Sequence, residues 1–145
     1  MKTYEAQAGG RVIVIRLNKG DLLLESVKEA IAQHEITDGA LVCGYGTLDN
    51  CTLHMINTND VFPAQEDFIH WDNYPLELVS MTGIIADGIP HIHAVISDKG
   101  KATGGHLENG CTVVYLAEIV IYEHANMKLT RKPTDWGPLA LENKE

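Results

Sequence analysis

The chain has 145 residues and a mass of 15.9 kDa, a size that suits one domain around one ordinary core. Eleven Lys and Arg stand against 20 Asp and Glu, a net charge of −9, and three of the basic residues are arginines: Arg11, Arg16 and Arg131. That balance disfavours gripping a polyanion by bulk charge, and 45% hydrophobic with 21% charged residues excludes a disordered chain.

In chain order, the first predicted element is a strand over residues 11–17, a β-branched run. A helix follows, capped by Asp21, with Leu23, Val27, Ala30 and Ile31 forming its apolar stripe. It ends near His34, because Thr37-Asp38-Gly39 is a turn signal. Strands are expected over 40–48 and 51–56. Residues 57–74 form a long loop or hold one short strand. Further strands are expected over 76–85, 91–97 and 112–123, the last being the most apolar and the best candidate for a central position. Residues 127–130 add a short edge strand. The tail over 133–145, with Pro133, Gly137 and Pro138, reads as irregular. The fold class is α+β: a mostly antiparallel sheet of about seven strands with one main helix, forming a single domain over 1–145.

Cys43, Cys51 and Cys111 are widely spaced and odd in number, so they read as small apolar packing residues rather than zinc or disulfide ligands. The opening residues lack the apolar stretch of a signal peptide, and no apolar run approaches the ~20 residues of a membrane span. The expected compartment is the cytoplasm, with no membrane partner.

Seven histidines occur, and their placement carries the chemistry. His91 and His93 lie two apart in a strand, so both imidazoles share one face, about 7 Å apart at ~3.3 Å per residue. A two-residue turn at Lys99-Gly100 pairs residue 98 with 101, so paired positions sum to 199. His106 then falls opposite His93, with Cβ atoms roughly 5 Å apart. Three imidazoles converging on one patch is the pattern of a three-histidine metal site with an open position. Zinc is the first expectation; nickel, copper or iron(II) use the same nitrogens. The same register puts Glu108 across from His91, as a further ligand or an orienting partner. Gly104-Gly105 lets backbone approach a ligand or neighbour closely, or introduces a bulge that shifts this register. His34, His54, His70 and His124 read as structural or exposed.

Several motifs together resemble the PPC (plants and prokaryotes conserved) domain family, in its stand-alone prokaryotic form. They are the stretch from Pro75 to Gly83, the stretch from Pro90 to Asp98 containing His-x-His, Gly104-Gly-His-Leu107, and Ala117-Glu-Ile-Val-Ile121. Arg16-Leu17 with Gly20, Gly44-x-Gly46 and Leu129-Thr-Arg-Lys132 also match, so the resemblance covers about residues 8–140. It implies an antiparallel sheet flanked by a helix, a homotrimer, and a metal-ligand cluster at His91, His93 and His106. The family also includes the domain of plant AT-hook proteins and carries a candidate DNA-binding label. This chain has no Arg-Gly-Arg-Pro AT-hook, and Pro75 stands where the plant motif has an arginine.

Two carboxylates sit in apolar strands. Glu77 and Glu118 either point outward from a one-sided sheet or serve near the metal, Glu118 as general base or histidine partner. Trp71 and Trp136 read as packing groups, since few basic residues lie near them. The expected function is a homotrimeric metal-binding protein of the family labelled DNA-binding or regulatory. Direct DNA contact would need a local patch such as Lys99, Lys101 and Arg131 against an unfavourable field. The alternative is a small metal-dependent enzyme or small-molecule sensor using the same three histidines.

Overall fold

The structure, a computed structural model, describes residues 9–144. Nine strands and one helix are present among them: β1 Val12–Asn18, α1 Leu23–Gln33, β2 Gly39–Ile56, β3 Glu66–Trp71, β4 Leu76–Ala86, β5 Ile89–Ser97, β6 Ala102–Leu107, β7 Thr112–Glu123, β8 Leu129–Pro133 and β9 Leu139–Asn143. The helix has only 11 residues, so the α+β expectation resolves into a predominantly β molecule.

The expected seven-stranded antiparallel sheet is present, in the order β1-β7-β2-β4-β5-β6, with β3 beside β2. Its organising element is β2, 18 residues long where two separate strands are expected. The turn-like Asp49-Asn50 pair does not break the strand. Shifts of register against β7 on either side of Leu48 absorb it, while Asn50 Oδ1 accepts the Asn73 N–H at 2.9 Å and the Asp49 carbonyl accepts that of Tyr74 at 2.8 Å. The first half of β2 pairs with β4 and β7, and the second half pairs with β3 and, at Leu53 and His54, with β6. The path β2-β4-β5-β6 therefore closes back on β2.

Alternation decides which side faces the core. Ile13, Leu17, Leu41, Ile119 and Ile121 point inward from β1, β2 and β7, and Leu53, Met81, Ile92, Ile96 and Leu107 do so from the closed side, all at most 8% exposed. Each such side chain contributes about 1.5–3 kcal/mol on burial. The helix adds Leu23, Leu24, Val27 and Ile31 to the same cluster. Its expected cap is corrected: Asp21 Oδ2 accepts the Asn18 N–H at 2.8 Å, Leu22 occupies the cap position, and the helix starts against the chain before β7, with the Leu23 N–H on the Cys111 carbonyl at 2.8 Å. Cys51 and Cys111 are buried as expected, whereas Cys43 is exposed. Trp71 packs against the core, and Trp136 lies edge-on to Phe62.

The tail is also corrected. Gly137 and Pro138 form the turn of a β8-β9 hairpin rather than ending structure, with the Thr134 N–H on the Pro138 carbonyl at 3.1 Å. Buried Asp38 ties this hairpin to the main sheet by accepting the Leu129 N–H at 2.7 Å. No helix among the described residues is long and apolar enough to cross a membrane.

Candidate metal centre

The β5-β6 hairpin sets the site. Asp98 folds the turn: its N–H reaches the Lys101 carbonyl at 3.0 Å, and its Oδ1 accepts the N–H groups of Gly100 and Lys101 at 2.6 and 2.9 Å. The register is the expected one, from Ser97↔Ala102 to His93↔His106, and Gly104 and Gly105 stay in the ladder without a bulge.

His91 and His93 project from the outer side of β5 with their rings stacked and their Nε2 atoms 3.3 Å apart. The His106 ring meets them nearly edge-on, its centre 4.9 Å from that of His91 and 5.6 Å from that of His93. On its other side β6 pairs with β2, so His106 also faces His54, and these two rings stack at 4.4 Å. A row His93–His106–His54 thus crosses three strands. The patch lines an outward-opening pocket of about 600 Å³, to which Ser80 and Thr82 also contribute.

Glu108 does not lie across from His91. The β5-β6 ladder stops at His106, and the chain follows β2 instead, with the Glu108 N–H on the Thr52 carbonyl at 3.1 Å. Its carbonyl accepts the Cys111 S–H at 3.3 Å. Oε1 sits 2.6 Å from His54 Nδ1 and 3.2 Å from His106 Nδ1. A carboxylate accepting at Nδ1 selects the tautomer that leaves Nε2 free to ligate. His54, His106 and Glu108 present donor atoms that all lie within 4.8 Å of one another, a spacing suited to a metal.

Burial pushes the His91 and His106 imidazoles below their usual range; neighbouring imidazoles add to this, and Arg131 does so for His91. At His106, Glu108 opposes the shift. Neutral imidazole is the form that binds a metal, so the donor chemistry of the patch fits a divalent ion.

The glycine pair has a steric role. A Cβ on Gly105 would stand 2.7 Å from the His54 carbonyl oxygen and 3.3 Å from Leu53 Cβ, and one on Gly104 would stand 3.3 Å from the Ala94 carbonyl oxygen. Only glycine at 105 lets β2 come close enough to bring His54 in.

Glu118 lies apart from these residues within the chain. It lies on the outer side of β7, between Arg16 and Tyr45 in register, and accepts a hydrogen bond from the Tyr45 hydroxyl. Glu77 is exposed on β4. His54, expected to be structural or exposed, is the residue of this patch that sequence reasoning missed. The alternation of 51–56 places it outward, yet no turn connects β2 to β6 to announce their pairing. His34 ends the helix, and His70 Nδ1 lies 3.0 Å from Thr52 Oγ1.

Comparison with known proteins agrees with this architecture. A plant- and prokaryote-conserved (PPC) protein from Pyrococcus horikoshii is 28% identical, with a TM-score of 0.79 over all of this chain and 99% of that one. A metal-containing protein from Archaeoglobus fulgidus shares the fold at 20% identity and a TM-score of 0.81, with both chains fully covered. A candidate DNA-binding protein from Bacteroides thetaiotaomicron shares it at 18% identity and 0.79, over 98% of this chain and 99% of that one. Among curated proteins, the bifunctional protein GlmU of a Synechococcus strain is 27% identical over 124 residues; the match takes in 85% of this chain and only 19% of that protein. The family model described as the Plants and Prokaryotes Conserved (PCC) domain matches residues 4–125, and the chain belongs to that family.

Proposed function

We propose that the protein is a homotrimeric metal-binding protein whose ion, zinc first, is held by His91, His93 and His106. The observation that carries this reading is the convergence of three imidazoles from one hairpin, two with Nε2 atoms 3.3 Å apart, at the wall of an open pocket. The Archaeoglobus fulgidus protein of the same fold is described as metal-containing, which supports the reading. Glu108 orients His106. A bound divalent ion would supply Lewis acidity for hydrolysis, hydration or lyase chemistry. The pocket beside it favours a second reading, a metal-dependent enzyme or sensor for a small molecule, since the protein groups leave room for one.

Self-association is supported by exposed apolar residues on β1 and β2, with Val12, Val14, Val42 and Tyr45 each more than half exposed. A cytoplasmic location remains part of this reading. DNA enters through relatives such as the Bacteroides thetaiotaomicron protein. Here Lys99 and Lys101 lie at one end of β5 and Arg131, bound to the Ile84 and Ile89 carbonyls, at the other, about 26 Å away at ~3.3 Å per residue. Such a spread makes no single basic patch, so micromolar protein is expected to leave duplex DNA unshifted at low salt.

Metal analysis of the purified protein tests the reading. Wild type is expected to retain metal that a His91→Ala/His93→Ala variant loses; equal metal content in the two would overturn the site.

A further inference from the structure

The histidine patch offers more donor atoms than one three-histidine ion uses. His54 Nδ1 and His106 Nδ1 converge on the same point, now taken by Glu108 Oε1 at 2.6 and 3.2 Å. His106 belongs to both groups, since its ring lies between His93 of β5 and His54 of β2. We infer that the patch is a two-metal centre bridged by His106. The first ion takes His91, His93 and His106 Nε2; the second takes His106 Nδ1, His54 Nδ1 and a carboxylate oxygen of Glu108. This rests on the three-histidine reading above and adds a second ligand set to it.

Distances favour the second position. A tetrahedral ion bound at ~2.0–2.2 Å holds its donors roughly 3.4 Å apart. The His106–Glu108 pair is already at 3.2 Å, and the His54–Glu108 pair must open by less than an ångström. The Glu108 side chain is 29% exposed and has room to retreat, while its backbone stays fixed by Thr52 and Cys111. Two imidazole nitrogens and one carboxylate oxygen are a ligand set that zinc and copper accept.

The proton count closes. On taking the second ion, His54 moves its ring proton from Nδ1 to Nε2, where Glu66 Oε1 stands 3.7 Å away as an acceptor for the approaching N–H. His106, ligated at both nitrogens, releases its only ring proton to solvent and becomes an imidazolate. Glu108 places one carboxylate beside the added cation, while Glu66 stands on the far side of the His54 ring, toward Nε2.

The test uses the full chain, loaded with Zn(II) and separately with Cu(II), freed of loosely held ions by a weak chelator, and assayed for metal per folded chain. Wild type is expected to hold about two ions, and His54→Ala and His91→Ala/His93→Ala about one each. Glu108→Gln, which keeps the side-chain shape, is likewise expected to hold about one and serves if His54→Ala does not fold. In the Cu(II) form, the imidazolate bridge couples the two spins, so the paramagnetic resonance signal should be weak in wild type and recover in His54→Ala. One ion in both wild type and His54→Ala overturns the second position while leaving the three-histidine ion standing. Two ions in both place the second elsewhere and also overturn it. Two uncoupled copper spins in wild type overturn the bridge. Unchanged metal in the His91→Ala/His93→Ala variant instead overturns the reading on which this one rests.

Discussion

Two outward-facing stretches of the same sheet differ in kind. Across β1, β7 and the first half of β2 one outer row is Val14–Val120–Cys43, broad and apolar, and beside it runs the polar row Arg16–Glu118–Tyr45. Across β5, β6 and the second half of β2 the outer row is His93–His106–His54, with His91 beside it and a pocket in front. Both back onto one core, so neither owes its character to the folding pattern. The inward residues determine the strand arrangement, and the outward ones are free to carry chemistry. A broad apolar row calls for a protein cover, whereas a row of converging imidazole nitrogens calls for a cation.

The sharpest way to break that contrast is to undermine one side from beneath. Leu107→Ala removes a side chain 1% exposed directly behind the histidines and should cost about 2–5 kcal/mol in denaturant unfolding. A loss below ~1 kcal/mol would show that the histidine side is not held by the core. Next in size, Glu108→Gln should weaken the proposed three-histidine ion about 10–100-fold in a competition titration, by releasing the tautomer of His106; unchanged affinity for that ion would remove the orienting role of Glu108. The third effect is acid sensitivity of the metal-free chain. The folded His91 and His106 titrate below the unfolded value of ~6.5. As pH falls below ~6.5 the unfolded chain therefore binds protons first, and stability drops until the lower folded values are passed. Above that window these groups contribute nothing. A His91→Gln/His106→Gln variant should flatten this limb, and an equally steep one would contradict the buried-imidazole account. The smallest change in the chain's own stability, under about 0.5 kcal/mol, is expected from Val14→Asp. Sedimentation should nevertheless show the proposed trimer falling apart, and an assembly left intact would move the interface elsewhere.

What was legible in the sequence is what short-range chemistry determines. The Asp98-Lys99-Gly100-Lys101 turn sets the β5-β6 register, and with it the His93–His106 pair, because a two-residue loop leaves one way to pair the flanking strands. The apolar face of the helix and the extent of β7 follow from periodicity and composition in the same way. His54 was illegible because β2 and β6 are 52 residues apart at the His54↔His106 pair (106 − 54) and no turn links them. The continuity of β2 was hidden by Asp49-Asn50, a composition that serves a bulge as well as a turn. Extending the β5-β6 ladder two residues beyond His106, where the strand changes partner, misplaces Glu108. Glu118 was ambiguous because alternation gives a side of the sheet but not which neighbour waits there.

The missing side chain at position 105 sets how this centre can change over time. The clash it avoids is with the backbone carbonyl of residue 54 and with Leu53 Cβ, not with the imidazole, so the close approach does not depend on the side chain that residue 54 carries. Substitutions there can add or withdraw a nitrogen donor in a single step without disturbing the strands around it. A larger residue at 105 would close that option by forcing β2 away. In the two-metal reading proposed above, a change at residue 54 would therefore alter the number of ions held while leaving the backbone in place.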